Sequence, residues 1–153
     1  MSDIQFDARG RLHHLLTLEG VNRSILTALL DQAERFRAPP GERVKRHTTL
    51  AGKTVVNLFF EPSTRTRSSF ELAARRLGAD VLNLEIGFSS AVKGESLEDT
   101  LYTLEAMNAD VFVVRHKDVG VPELLACHAA PHVHVLNAGR SEEHTSELQS
   151  RHN

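Results

Sequence analysis

The sequence predicts an α/β fold, a parallel β-sheet with helices on both faces. Three observations carry this expectation. Short apolar runs rich in β-branched residues alternate with stretches in which apolar residues recur at three- and four-residue steps, strand then helix, through four strands. The runs are near-continuously apolar, as in strands buried on both faces, rather than alternating. Helix-capping residues stand at the junctions between them: Gly78, Ser96 and Pro122.

Residues 1–16 read as a polar arm and residues 17–139 as the domain. Over residues 18–38, Val21, Ile25, Leu26, Leu29, Leu30, Ala33 and Phe36 mark an amphipathic helix, stopped by Pro39, Pro40 and Gly41. A basic linker, residues 43–47, precedes the first strand, residues 54–60 (TVVNLFF). The next helix, residues 64–77, carries Phe70, Ala73, Ala74 and Leu77 on one face, with Gly78 placed as its C-terminal cap. Residues 80–86 (DVLNLEI) form a second strand and residues 87–95 a loop. Ser96 then opens a helix with Asp99 three positions on, close to a capping box. Leu97, Leu101, Leu104 and Met107 make its core face. Residues 110–116 (DVFVVRH) are a third strand. Pro122 suits the first turn of a short helix through Ala129, and residues 132–136 are a fourth strand.

Composition narrows the function classes. With 153 residues there is room for one ordinary domain, and 41% hydrophobic with 25% charged residues is the balance of a globular chain. A formal net charge of -2 supplies no general basic field for nucleic acid or anionic membrane. No stretch approaches the roughly 20 apolar residues of a membrane span, and the first residues lack the pattern of a signal peptide. Cys127 stands alone, so no internal disulfide forms; a small buried residue on a helix face and a reducing cytoplasm are expected. The histidines show no metal-ligand spacing: His132 and His134 alternate along one strand face, but two ligands are too few. Neither metal nor cofactor is expected.

Ligands of open parallel sheets bind beyond the carboxyl ends of the strands. One such end carries FFEPSTRTRSSFE, residues 59–71, which puts Ser63, Thr64, Arg65, Thr66 and Arg67 between a strand and the first turn of a helix. Free N–H groups and the positive end of the helix dipole favour an anion there. The hydroxyls add donors, and Arg65 can grip a phosphate through two parallel hydrogen bonds. At about 1.5–3 kcal/mol per charge-assisted bond, several together hold a small dianion at micromolar affinity. The plainer reading, an N-cap followed by solvated arginines, does not account for two arginines and three hydroxyls at one turn. Dinucleotide and triphosphate loops of the G-x-G-x-x-G or Walker type are not present.

The Ser-Thr-Arg-Thr-Arg segment resembles the phosphate loop of the aspartate and ornithine carbamoyltransferases, and the likeness runs over residues 12–139. FSSAVKGESLEDT, residues 88–100, is similar to the loop that aspartate carbamoyltransferases lend to a neighbouring subunit's site, with Ser89 and Lys93 at the matching positions. VVRH, residues 113–116, resembles the end of the family's third strand. The resemblance implies the carbamoyltransferase fold's carbamoyl-phosphate domain, no cofactor, and a homotrimer with shared sites. It implies that Ser63, Thr64, Arg65 and Thr66 bind the phosphate of carbamoyl phosphate. Thr66 and Arg115 would also reach the carbonyl oxygen, Ser89 and Lys93 would arrive from the next subunit, and Arg67 would support the loop. Lys93 taken by itself is an ordinary loop lysine, whereas an arginine ending an apolar strand asks for a partner or a ligand.

The K-G-E-S loop and the Arg115-His116 pair favour the aspartate enzyme over the ornithine one. A non-catalytic carbamoyltransferase-like assembly subunit is the other alternative. The family's His-Pro-Thr-Gln segment, expected soon after Asn137–Gly139, does not follow here, nor does an aspartate-binding domain. The chain alone is therefore expected to be inactive or nearly so. Residues 140–153 turn abruptly polar, and residues 140–150 match the in-frame translation of a common sequencing-library adapter. The expectation is a non-native tail, with a natural polar terminus as the alternative.

Overall fold

The computed structural model describes residues 2–86 and 96–140. The expected loop at 87–95, with Ser89 and Lys93, and nearly all of the expected non-native tail lie outside the described residues.

Four parallel strands form the sheet: β1 (Thr54–Phe59), β2 (Asp80–Glu85), β3 (Val111–Arg115) and β4 (His134–Asn137), in the order β2-β1-β3-β4. Within the sheet the chain enters at β1, steps outward to β2, then returns past β1 to β3 and on to β4. With crossovers of one hand, stepping in opposite directions puts the connecting helices on opposite faces. Helix α2 (Thr64–Arg76) accordingly packs with Val55, Phe59 and Val113, through Ala74 and the half-buried Phe70. On the other face, α3 (Leu97–Ala106) contributes Leu101 and Leu104, and α4 (Val121–His128) contributes Val121, Leu125 and Ala126. They meet Val56 and Leu58 of β1, Phe112 and Val114 of β3 and Val135 of β4. Alternate residues of a strand face opposite ways, and here both faces are apolar, as the near-continuous runs required.

Helix ends follow local chemistry. Ser96 Oγ accepts from Asp99 N at 3.1 Å while Ser96 N donates to Asp99 Oδ2 at 3.5 Å, completing the capping box. Pro122 sits in the first turn of α4. Gly78 follows α2 at φ +91°, where a Cβ would meet His47 O at 2.9 Å, so both conformation and space select glycine. The first helix, α1 (Arg23–Phe36), is shorter than its apolar periodicity: Asn22 caps it, accepting from Ile25 N at 2.9 Å, and Leu18 lies outside, exposed. None of its residues is buried.

Two side chains depart from expectation. Met107, placed on the core face of α3, is 62% exposed, because the helix ends at Ala106 and its period stops there. Cys127 is exposed rather than buried: α4 turns Val121, Pro122, Leu125 and Ala126 inward, and Cys127 falls a further step round the helix. The last strand also begins two residues late, since residues 131–132 form a turn closed by Val133 N to Ala130 O.

The segment before α1 is fastened to the sheet. Buried Gln5 accepts from Leu16 N at 2.6 Å and Thr17 N at 2.9 Å, and Leu15 pairs in parallel with Leu136. That pairing covers the β4 edge, whose backbone groups would otherwise be open to another chain.

Candidate anion-binding site

The sheet reverses its winding between β1 and β3, and the crevice at such a switch point, beyond the carboxyl ends of the strands, is where ligands settle. The loop after β1 runs through Glu61 and Pro62 into α2, and Arg115 ends β3 directly beside it. Phe59 and Arg115 are register partners, and Phe60 N donates to Arg115 O at 2.9 Å. The resemblance implied that Thr66 and Arg115 meet at one ligand; strand order makes their segments neighbours.

At the start of α2, Ser63 is the N-cap residue, but its side chain makes no capping hydrogen bond. Arg67 N closes the first turn on Ser63 O at 3.0 Å. Among the described residues, no acceptor faces the N–H groups of Thr64, Arg65 and Thr66. The Ser63 hydroxyl and three helix-start donors are therefore uncommitted, with Arg65 and Thr64 exposed and Thr66 half-buried. Such an array matches an anion with several oxygens.

Arg115 is held differently. Its Nη1 donates to Ala138 O at 2.9 Å and its Nη2 to Arg140 O at 3.0 Å, while Nε stands 3.2 Å from Glu61 Oε1. That last contact has ion-pair distance but not hydrogen-bond alignment, so both Nε and Oε1 are buried without a hydrogen-bond partner. Carbonyls and one misaligned carboxylate hold this guanidinium less well than a phosphate or carbonyl oxyanion placed in its fork would. Arg67 reaches instead to Glu85 at the end of β2, tying the first turn of α2 to the neighbouring strand. His116 packs its ring on Phe60 at 4.8 Å, and its Nδ1 accepts from Asp118 N at 2.9 Å. Burial pushes its pKa below the ordinary value, Lys117 adds to that, and the carboxylates of Asp118 and Glu61 oppose it.

The structure thus brings Ser63, Thr64, Arg65, Thr66 and Arg115 to adjoining strand ends, while Ser89 and Lys93 fall outside the described residues. Glu61 and Glu85, the acidic partners of Arg115 and Arg67, were missed in the sequence, although Glu61 lies inside the motif itself. Among the described residues, no group of three or more His, Cys, Asp or Glu side chains is placed to hold a metal, and no helix is long and apolar enough to cross a membrane.

Fold and site together define a parallel α/β domain with an uncommitted helix start beside a strand-end arginine. Residues 13–148 match the family model "Aspartate/ornithine carbamoyltransferase, carbamoyl-P binding domain", and the chain belongs to that family. Solved structures of both branches resemble it. Ornithine carbamoyltransferase from Thermus thermophilus is 32% identical, with a TM-score of 0.69 over 83% of this chain and 42% of its own. The catalytic subunit of M. jannaschii aspartate transcarbamoylase is 33% identical, with a TM-score of 0.71 over 84% of this chain and 42% of its own. Aspartate transcarbamoylase from Trypanosoma cruzi, solved in complex with phosphate, is 38% identical, with a TM-score of 0.68 over 84% and 39%. The chain spans about two-fifths of the length of these proteins.

Proposed function

We propose that this chain supplies the carbamoyl-phosphate side of an aspartate carbamoyltransferase, the enzyme that transfers a carbamoyl group to the amino group of L-aspartate, giving N-carbamoyl-L-aspartate and phosphate for pyrimidine synthesis. The observation that carries the reading is the uncommitted donor array at the start of α2, set beside Arg115 at the switch point of the sheet. That the Trypanosoma cruzi enzyme was solved in complex with phosphate is consistent with this reading.

The chemistry follows from where charge develops. When the amine attacks the carbonyl carbon, negative charge grows on the carbonyl oxygen and then on the departing phosphate. Donors fixed in advance at both positions lower the barrier. Ser63, Thr64, Arg65 and Thr66 hold the phosphate, and Thr66 and Arg115 lean on the carbonyl oxygen. Arg67, paired with Glu85, keeps the α2 start in place. Lys93 and Ser89 complete the phosphate's surroundings from a neighbouring subunit of a cytoplasmic homotrimer. The aspartate side lies in a part of the protein beyond these residues.

Preference for aspartate over ornithine rests on the K-G-E-S loop and the Arg115-His116 pair. Carbamoylation assays on the gene product at the length of its relatives, with L-aspartate and L-ornithine offered side by side, test it. Turnover of aspartate alone is expected, and turnover of ornithine would overturn the assignment. No turnover of either amine by an assembled protein that binds carbamoyl phosphate would favour a non-catalytic assembly subunit.

A further inference from the structure

Three histidines meet where the N-terminal arm lies along β4. The His13 ring is 4.5 Å from that of His14 and 4.4 Å from that of His134, centroid to centroid. Each imidazole is committed to a backbone group across the seam. His13 Nε2 lies 3.0 Å from Val133 O, His134 Nδ1 lies 2.6 Å from His13 O, and Val135 N donates to His14 Nδ1 at 2.9 Å. A carbonyl only accepts and an amide N–H only donates, so these partners dictate the proton positions. His13 carries its proton on Nε2 and His134 on Nδ1, whereas His14 Nδ1 must be bare. The Val135 N–H, on a strand edge, thus has a side chain as its acceptor where a sheet neighbour would supply a carbonyl.

We propose that the arm is a proton-sensitive latch on the β4 edge, in which protonation of His14 replaces the acceptor at Val135 with a second donor and releases residues 13–16 from the strand. Besides the His13–Val133 and His134–His13 bonds, the seam has Leu15 N to Val135 O at 2.9 Å, Asn137 N to Leu15 O at 2.8 Å, and Asn137 Nδ2 to Leu16 O at 2.9 Å. Two donors facing each other at a residue only 5% exposed work against all of these. The titratable groups acting on His14 are His13, from the arm itself, and His134, from β4. Helices α1 and α2 face the same cavity, of about 390 Å³, with apolar side chains that include Leu29, Phe70 and Ala73, and among the described residues no carboxylate lines it. A proton on His14 therefore has no counter-charge there and meets two further imidazoles.

Release would travel to the site. Asn137 also accepts from Gly139 N at 2.9 Å through Oδ1, and the turn it shapes supplies the Ala138 and Arg140 carbonyls that hold Arg115. That consequence rests on the phosphate reading of the site; the latch itself does not.

Burial, followed by the neighbouring His13 and His134, lowers the pKa of His14 from 6.5 to about 4. The docked arm favours the neutral ring, so docking is at full strength above pH 6.5 and weakens as pH falls towards 4. Between pH 7 and pH 5 the docking equilibrium should drop on the order of 20-fold. Hydrogen exchange on the 153-residue chain reads this directly. After correction for intrinsic rates, the Leu15, Val135 and Asn137 amides should lose protection by about that factor. Amides of the central strands β1 and β3 should not. His14→Asn offers Oδ1 to Val135 without titrating, and its arm amides should keep the same protection at both pH values. Equal pH dependence in wild type and His14→Asn would overturn the latch. So would parallel loss at the arm and the central strands in the wild type alone, a comparison that stands even if the variant fails to fold.

Discussion

Replacing Phe112 with alanine will cost about 3–5 kcal/mol of unfolding free energy, the usual penalty for emptying a large aromatic site in a core. Phe112 has no exposed surface, sits on central strand β3, and belongs to the cluster that joins the sheet to α3 and α4. Both of those helices are anchored to fixed strands, so the space left behind has little freedom to collapse. A domain of this size has about 5–15 kcal/mol in total, so the variant should unfold at far lower urea than wild type. Met107→Ala is the contrasting case. At 62% exposure it should change stability by no more than about 0.5 kcal/mol, although its helical spacing put it on the same face. Urea unfolding of both variants checks the pair, and a Phe112→Ala cost below about 1 kcal/mol would contradict the core as described.

Loss of Arg115 should be the largest single effect on carbamoyl-phosphate binding outside the α2 loop. Its fork now rests on two carbonyls, and its Nε faces Glu61 without a proper hydrogen bond. Little has to be given up when a better acceptor arrives. Removing one or more charge-assisted bonds at about 1.5–3 kcal/mol each predicts affinity for carbamoyl phosphate lower by about 10- to 100-fold in Arg115→Ala. Inorganic phosphate, which has no carbonyl oxygen for Arg115 to meet, should lose less. Arg115→Lys keeps the charge but not the planar fork, and should recover only part of the loss. Equal weakening of both ligands in Arg115→Ala would remove Arg115 from the carbonyl and leave it a general charge.

Much of the fold was legible because its signals are local. The spacing of Leu101 and Leu104, the Ser96–Asp99 pair and the β-branched runs each act within one or two turns of chain, and each survives in the structure. The segment proposed to hold phosphate was legible in the sequence for the same reason, since its hydroxyls and arginines are consecutive. Long-range pairings were not. Glu61 meets Arg115, and Glu85 meets Arg67, only because β1 lies between β2 and β3, an order that no local residue pattern encodes. Gln5, fully buried, looked like an ordinary residue of a polar arm; its role in receiving Leu16 N and Thr17 N depends on how the arm folds back. Met107 and Cys127 show the reverse error, a local period extended past a helix end or read without its neighbours.

The most direct test of a phosphate site at the start of α2 is calorimetric titration of the 153-residue chain with carbamoyl phosphate and with inorganic phosphate, wild type against Arg65→Ala. Arg65 is exposed and far from the core, so its removal should leave the fold unchanged. Saturable binding of both ligands by wild type, weakened at least about 10-fold in Arg65→Ala, is the expected result. Binding that survives unchanged in Arg65→Ala, or no binding by folded wild type, would contradict it.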